Sequence, residues 1–399
     1  MQLLSEIRRV SYIERSKAIL CTLDAYRTNW GIHVQAITII QPHLRYGGAE
    51  RQTVLLANEL VSRGITCHVV LHEAKGGLVS ELAEEVIVHD LGLYSQIRTL
   101  ETARRLAKVL NTIEPSFVIV KLWSSILACA WAEKRTPQHV YNYCEDLDPS
   151  DHAAFIRFGK LKQALIGSIF RRKKLLSANT NTVADSMRLQ YNLTKPIAVI
   201  SSVVEPELVR KKASEANVPN VFSRDKLNIV TVGSLIERKG LRDTLEGLRQ
   251  TGEAIRWHVV GEGPLREFLE TQSCENVEII LHGGMPNPYG IMQACDLMVH
   301  GAVSEAFGIV LLEAMAVGTP VIAADSIGPT EMRAVLGANP HILELYRKSD
   351  PQDLAETINT QIARRESWPI DASDYIRPYV LDSTVKAWVA RAAEYGPVR

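Results

Sequence analysis

The sequence has no excess of charge of either sign. Among its 399 residues, Lys plus Arg and Asp plus Glu each total 45, so the formal net charge at pH 7 is +0. Proteins that hold nucleic acid by its phosphates need strongly basic surfaces. We therefore expect no nucleic-acid partner, and any basic surface must be local.

Cysteine is sparse and scattered. No two of the six cysteines have the CxxC spacing, and a chain of this length does not need disulfide bonds to stabilise its core. This pattern favours a reducing compartment and argues against a zinc knuckle. The cysteines are Cys21, Cys67, Cys129, Cys144, Cys274 and Cys295.

Long apolar runs are missing as well. No segment approaches the ~20 consecutive apolar residues of a membrane-spanning helix, and charged residues interrupt the first twenty positions. We expect neither a signal peptide nor an integral membrane segment. The expected location is the cytoplasm, either free or at the inner face of the membrane.

What is present indicates two α/β domains. The chain is 46% hydrophobic and 23% charged, as in ordinary globular proteins, and it exceeds the usual size of one domain. Short β-branched runs alternate with segments of helical period, which is typical of βαβ units on a parallel sheet. We predict two tandem, doubly wound Rossmann-like domains that face a cleft. Strands are predicted at 33–41, 65–71, 86–90, 116–121, 139–143 and 197–201, then at 228–233, 256–261, 277–282, 297–300 and 320–324, and helices include 50–63 and 95–112.

A polar stretch at 210–224 separates the two series of strands. We therefore place the domain boundary in this stretch. Whether the last helix packs against the N-terminal domain is left open. The predicted units are a helical extension at 1–30, a first domain at 31–205, a linker at 206–226, a second domain at 227–380 and a C-terminal helix at 381–399.

Two glycines follow the first predicted strand. Gly47 and Gly48 stand between this strand and a helix that opens at Ala49 and Glu50. Glycines at such a position let backbone N–H groups approach an anion at the positive end of the helix. The motif indicates either a phosphate site or a plain turn that needs glycine for its dihedral angles.

Two cations follow the first strand of the second series. This strand ends at Gly233, and Arg238 and Lys239 lie in the loop before the next helix. Open α/β sheets bind ligands at the carboxyl ends of their strands, and two cations there suit a diphosphate. The alternative is a solvated turn.

The segment 304–320 carries two carboxylates in an apolar setting. Residues 308–317 are apolar apart from Glu313, which predicts a helix buried on all sides. A buried carboxylate is costly unless it accepts hydrogen bonds, so Glu313 needs a partner, and a ligand with hydroxyl groups is a candidate. Glu305, just before the helix, is either a second ligand-binding group or a charge that stabilises the helix N-terminus.

Two familiar nucleotide-binding motifs are disfavoured. Gly261 and Gly263 form a GxG after a strand, but Arg266 stands where the dinucleotide fingerprint needs its third glycine. No GxxxxGK[ST] segment occurs either. A nicotinamide dehydrogenase and a Walker-type NTPase are therefore disfavoured.

In combination, these motifs resemble a known family. GGAE at 47–50, RKG at 238–240 and EAFGIVLLEAMAVGTPVIA at 305–323 look like the motifs of a retaining glycosyltransferase of family 4 with the GT-B fold. The resemblance spans roughly residues 33–335 and is most specific at 304–323. It implies a nucleotide-diphosphate sugar donor in the cleft, with an acceptor domain first and a donor domain second.

The resemblance also implies a role for each matching residue. Glu313 takes the ribose hydroxyls of the donor. Glu305, Arg238 and Lys239 form the catalytic set, with Glu305 on the transferred sugar and the two cations on the diphosphate. Because the cations fill the role that a metal plays elsewhere, no metal and no cofactor is expected. The other residues expected to line the donor are Gly47, Gly48, Gly233, Phe307, Gly308 and Ile309.

Two departures from the family pattern matter. Ser234 stands where the family often has an arginine, which leaves one cation fewer at the diphosphate. The family also tends to carry a histidine on the acceptor side, and here Cys144, Glu145 and Asp146 are three open candidates for that place.

The expected acceptor is a hydroxyl group of a glycan, a glycolipid or a small molecule. Residues 154–174 combine basic side chains with apolar ones at near-helical spacing. They form either a helix on an anionic membrane or a packed helix with a solvated basic edge. The chain is thus predicted to be a retaining, metal-independent hexosyltransferase of glycan, polysaccharide or glycolipid biosynthesis. The alternatives are a nucleotide-sugar epimerase and a GT-B scaffold without turnover.

Overall fold

The computed structural model describes residues 36–93, 99–151, 158–219, 221–222, 225–272 and 274–396, apart from the side chain of Ser367. The predicted extension 1–30 lies outside these ranges. So do the first three residues of the predicted strand 33–41, residues 95–98 of a predicted helix and residues 154–157 of the basic segment.

The first sheet is built from β1 (Ala36–Gln41), β2 (Thr66–Leu71), β3 (Ile87–Asp90), β4 (Phe117–Val120), β5 (Tyr141–Glu145), β6 (Leu175–Ala178) and β7 (Ala198–Val199). Its strands are parallel and run in the order β3-β2-β1-β4-β5-β6-β7. The strand order reverses beside β1, where open α/β sheets form their ligand crevice. Both faces of β1 and β4 are buried, which explains their nearly continuous apolar sequence.

The second sheet is built from β8 (Leu227–Val232), β9 (Ile255–Val260), β10 (Val277–Gly283), β11 (Leu297–His300), β12 (Val321–Ala324) and β13 (Leu343–Tyr346). It is also parallel, in the order β10-β9-β8-β11-β12-β13. Here the order reverses beside β8, so the two sheets repeat one topology. The two parallel-sheet domains confirm the predicted fold class.

Helices cover the faces of both sheets. Helix α1 begins at Gly48 and ends just before Gly64, whose φ of 76° stops it as the sequence predicts. The helices are α1 (Gly48–Ser62), α2 (Thr99–Ile113), α3 (Trp123–Ala132), α4 (Gly159–Arg172), α5 (Asn181–Tyr191), α6 (Pro206–Ser214), α7 (Leu241–Gln250), α8 (Arg266–Glu270), α9 (Tyr289–Ala294), α10 (Ile309–Ala316), α11 (Ile327–Leu336), α12 (Pro351–Ile362) and α13 (Leu381–Tyr395).

The expected linker is more structured than its polar composition indicates. Helix α6 lies inside 206–226, and its Val209 and Ala213 are buried in the core of the second domain against α9 and α10. The polar residues of this stretch lie on the other face of the helix, which a composition-based boundary cannot distinguish.

Helix α13 packs on the first domain. Its Leu381, Val385 and Trp388 are buried in the same core as residues of α1 and β1. The chain crosses between the domains twice at one place, since Val204 pairs with Val380 and its N–H donates to Tyr379 O at 2.9 Å. The two crossing strands therefore lie side by side as the connection between the domains.

The domains also touch across the cleft. Glu331 of α11 accepts hydrogen bonds from the backbone and side chains of Asn181 and Thr182, at the start of α5, at 2.7 to 3.0 Å. Ser304 donates to Asp151 of the first domain. These contacts bring the carboxyl ends of the two sheets face to face.

Candidate active site

Gly48, the second glycine of the pair, faces the second domain. A Cβ added to Gly48 would lie 3.1 Å from Cδ1 of Ile309, and one added to Gly47 would lie 2.3 Å from Oε2 of Glu50. Neither glycine has a positive φ, and Gly47 is extended at −171°. Neither glycine is therefore needed for an unusual dihedral angle, which weakens the plain-turn alternative.

Both predicted cations lie at the carboxyl end of β8 and contact the 304–305 segment. Lys239 Nζ is 2.5 Å from Glu305 Oε2, and Arg238 Nη1 donates to Ser304 O at 2.7 Å. The Lys239 side chain is only 15% exposed. Gly233, directly after β8, has a φ of 152°, a backbone conformation that favours glycine. The loop is therefore an ordered cationic site and not a solvated turn.

Glu305 is held by two donors. Besides Lys239, His300 at the end of β11 lies with Nε2 at 3.2 Å from Glu305 Oε2, and His300 is 1% exposed. Burial raises the pKa of Glu305, but the Lys239 ammonium and the His300 hydrogen bond outweigh it and hold the pKa well below its usual value. Burial also lowers the pKa of His300. The site thus contains an ionised carboxylate beside a neutral imidazole whose Nε2–H donates.

A tight turn follows Glu305. Gly308 has a φ of 91° and caps α10, and Gly328 packs so closely on Phe307 that a Cβ would lie 2.5 Å from its Cα. The Gly328 N–H donates to Glu305 O at 2.7 Å. The N-terminus of α10 is therefore fixed at Ile309, directly opposite Gly48.

Glu313 has two partners inside the protein. Helix α10 is buried on nearly all sides, as predicted, and the Glu313 carboxylate accepts from Tyr289 OH at 2.8 Å. Arg51 of α1 reaches across the cleft and places Nε at 3.6 Å from the same oxygen, Oε1. Burial raises the pKa of Glu313, and Arg51 and Tyr289 offset this in part.

Sequence reasoning missed three of these residues. Arg51 stands beside the glycine motif and is the one with a local signal. His300 is a single polar residue at the end of an apolar run, and Tyr289 stands in a loop rich in glycine and proline. Each gains its position only when strands and helices far apart in sequence come together.

The three acceptor-side candidates differ in their surroundings. Cys144 is buried within β5, and burial raises the pKa of its thiol to about 12. Glu145 is buried and accepts from Tyr191 OH at 3.0 Å. Asp146 follows the strand end, with Oδ2 at 4.0 Å from Lys121 Nζ. Of the three, only Asp146 lies beyond the carboxyl end of β5, whereas the other two belong to the strand itself.

A cavity of about 250 Å³ opens beside the glycine pair, at the carboxyl ends of β1, β2 and β4. Imidazole, carboxylate, hydroxyl and indole groups line it, a mixture that suits a molecule with several hydroxyl groups. Burial lowers the pKa of His72, one of its imidazoles, to about 4, so this group is neutral at physiological pH. Its polar and aromatic lining is His43, Glu50, His72, Thr99, Thr102, Trp123 and Ser124.

The described residues contain neither a membrane-spanning helix nor a ready-made metal site. None of the helices there is long and apolar enough to cross a bilayer. In the same ranges, no group of three or more His, Cys, Asp or Glu side chains is arranged to hold a metal ion.

Two family models match the chain. The model described as Glycosyltransferase Family 4 matches residues 46–208, and the model described as Glycosyl transferases group 1 matches residues 214–367. The first match covers the glycine pair and the second covers Lys239, Glu305 and Glu313.

Curated relatives carry related names. The chain is 30% identical over 153 residues to the lipopolysaccharide glucosyltransferase WaaG of Escherichia coli K12, covering 37% of this chain and 41% of that protein. It is 28% identical over 211 residues to the putative teichuronic acid biosynthesis glycosyltransferase TuaC of Bacillus subtilis, covering 51% of each. It is 24% identical to the lipopolysaccharide core biosynthesis glycosyltransferase LpsE of Rhizobium meliloti, covering 71% of this chain and 77% of that one. The matches to WaaG and TuaC thus span about half or less of those proteins.

Solved structures share the whole fold. Anabaena Alr3699/HepE, determined in complex with UDP and glucose, superposes with a TM-score of 0.73 at 19% identity over 90% of this chain and 100% of that one. The crystal structure of WaaG superposes with a TM-score of 0.66, also at 19% identity, over 90% and 99%. At this identity the likeness concerns the arrangement of both domains.

Proposed function

We propose a function from the premise that this chain belongs to the GT-B glycosyltransferases of family 4. The protein moves a hexose-type sugar from a nucleotide-diphosphate sugar to a hydroxyl acceptor, with retention of configuration and without a metal. The single observation that carries this proposal is the cluster of Lys239, Glu305 and Glu313 around the N-terminus of α10, opposite Gly48.

The donor occupies the cleft between the domains. Glu313 accepts from the ribose hydroxyls, Glu305 accepts from hydroxyls of the sugar, and the diphosphate lies between Lys239 and the glycine pair. The structures of HepE with UDP and with UDP-glucose support a donor of this class. The cavity beside the glycine pair offers the acceptor a place next to the donor.

Lys239 changes its partner when the donor binds. The departing nucleoside diphosphate gains negative charge on its β-phosphate, and fixed cations and a helix N-terminus aimed at that charge lower the barrier. Lys239 turns from Glu305 to the phosphate, and His300 remains as a donor to the Glu305 carboxylate. The leaving phosphate accepts the proton of the acceptor hydroxyl, so the transfer needs no protein base.

Two other functions were considered. A nucleotide-sugar epimerase converts its donor without an acceptor, and a scaffold keeps the fold without turnover. The relatives are named as transferases, which argues against an epimerase. The cationic and carboxylate groups of the cluster are all present, which argues against a scaffold without turnover.

Incubation with nucleotide sugars tests the proposal. We expect UDP- or GDP-hexoses to raise the unfolding temperature, since a ligand at a hundredfold excess over its Kd stabilises by about 2.7 kcal/mol. With donor alone, a transferase gives at most slow hydrolysis, whereas an epimerase yields the epimeric sugar. Absence of binding to every UDP- and GDP-hexose would contradict the proposal, and epimer formation would replace it.

We also propose that the enzyme works at the inner face of the membrane on a lipid-linked or polysaccharide acceptor. Helix α4 exposes an apolar stripe of Phe158, Leu161 and Leu165, with Leu161 61% exposed. The basic residues around it support contact with anionic lipid. Two of the neighbouring cations already have partners within the protein: Lys173 pairs with Glu133, and Arg171 Nη1 donates to Tyr191 O at 3.0 Å.

The apolar stripe gives the sharper test of membrane contact. We expect Leu161→Ser with Leu165→Ser to lower the binding of the protein to anionic vesicles at least tenfold, because each exposed leucine contributes up to about 1.5 to 3 kcal/mol when it enters apolar surroundings. Co-sedimentation at low and high salt measures this. Leu208→Ser, which changes an exposed leucine of the second domain, is the matched control. Equal, salt-insensitive partitioning of all three proteins would leave α4 as a packed helix with a solvated edge.

A further inference from the structure

Arg51 belongs to the first domain but is held mainly by the second. It lies in the first turn of α1, and its Nη2 donates to Pro286 O at 3.0 Å. Its guanidinium also lies 5.6 Å from the centre of the Tyr289 ring and 3.6 Å from the Glu313 carboxylate. The side chain is only 16% exposed. Because these contacts hold the guanidinium in place, it can orient the carboxylate of Glu313.

The closest contacts to Glu313 fall on one oxygen. Tyr289 OH and Arg51 Nε both approach Oε1, at 2.8 and 3.6 Å. Among the residues that the structure describes, no hydrogen bond reaches Oε2. Arg51 and Tyr289 therefore orient the carboxylate from one side and leave its other oxygen for a ligand.

We infer that Arg51 is a positioning residue of the nucleotide site: from the first domain, it holds the Glu313 carboxylate ionised and oriented so that Oε2 accepts from the ribose hydroxyls. This inference rests on the proposed function.

The charges around Glu313 determine how this depends on pH. Facing it are Arg51 of α1, Glu81 of the turn after β2, Lys212 of α6 and Tyr289 of α9. Burial raises the pKa of Glu313 and Arg51 lowers it. Loss of the guanidinium raises the pKa further. As the pH is lowered, Glu313 of the Arg51 variant should therefore become protonated, and lose nucleotide affinity, at a higher pH than Glu313 of the parent protein.

Titration calorimetry with UDP and with GDP, as a function of pH, tests the inference. We expect Arg51→Gln to weaken the tighter nucleotide about tenfold at pH 7.5 and more below it, because a charge-assisted contact is lost. Arg51→Lys should retain part of the affinity. In a Glu313→Gln background, Arg51→Gln should have almost no further effect, since it acts through that carboxylate.

Glu331→Ala is the matched control. It removes a contact between the domains at Asn181 and Thr182 that is separate from Glu313, so the nucleotide Kd should stay within about twofold of the parent. A parent-like Kd for Arg51→Gln would overturn the inference, as would equal weakening by Arg51→Gln and Glu331→Ala, or additive effects with Glu313→Gln. If the parent binds neither nucleotide, the proposed function itself fails, and the inference falls with it.

Discussion

Replacement of Lys239 by alanine is expected to lower kcat/KM by about a hundredfold or more. Removal of one preorganised charge at a site where negative charge develops typically costs about 3 kcal/mol. Lys239 is placed for this role, since it lies at the carboxyl end of β8 and pairs with Glu305 at 2.5 Å. Steady-state kinetics with saturating acceptor measures the loss.

The matched control is Lys226→Ala, which removes a lysine of the same domain from its surface pair with Glu278. It should leave kcat/KM within about twofold, because exposed ion pairs contribute little. A Lys239→Ala protein with control-like kinetics would remove Lys239 from the reaction. A loss of the same order is expected for Arg238→Ala, since Arg238 holds Ser304 O in the loop before α10.

Chelation gives an independent check of the same arrangement. In the proposed mechanism, the two cations and the helix N-terminus take the place of a divalent metal, so EDTA is expected to leave the parent activity unchanged. Loss of all activity on chelation, restored by magnesium or manganese, would overturn the metal-free part of the proposal.

Replacement of Glu313 by glutamine is expected to weaken nucleoside-diphosphate binding by about one to two orders of magnitude. The charge-assisted hydrogen bonds from the ribose hydroxyls that this variant loses are worth about 1.5 to 3 kcal/mol. Calorimetry with UDP and GDP measures the Kd. Glu246→Gln, on the exposed face of α7, is the control and should bind like the parent. An unchanged Kd in a folded Glu313→Gln protein would remove Glu313 from the site.

The same substitution should not destabilise the protein. Because the pKa of Glu313 is raised on folding, the native state binds its proton more tightly than the unfolded state, so this carboxylate lowers stability as the pH rises above its unfolded pKa. The neutral amide avoids that penalty. We expect the Tm of Glu313→Gln at pH 8 to equal or exceed that of the parent, and a marked fall would show that the carboxylate is structural.

The strands could be predicted where side chains signal them locally. The strand at Leu297–His300 lies where its apolar run predicts it, and α10 is buried as its sequence indicates. The sequence reading missed β6 and β13. Both are only four residues long and neither contains a β-branched residue, so the signal of each is weak, although Leu343, Glu344 and Leu345 do alternate as in a strand.

The site divides in the same way. Chain position alone predicts that Gly47, Lys239 and Glu305 approach the cleft, because each follows a parallel strand and the carboxyl ends of such strands share one edge. The partners could not be predicted. That His300 supports Glu305, and that Tyr289 and Arg51 support Glu313, depends on distances between elements that no local pattern encodes.

The sequence by itself determined the fold class, the family resemblance and which motifs lie at strand ends, because periodicity, glycine placement and motif spacing are local properties of the chain. The tertiary structure decided which carboxylate meets which cation, and that α6 and α13 pack on different domains. Arg51 and Pro286 are 235 positions apart and still hydrogen-bonded. Such contacts arise when two separately folded cores dock, and their energies depend on burial and distance, which the order of residues does not specify.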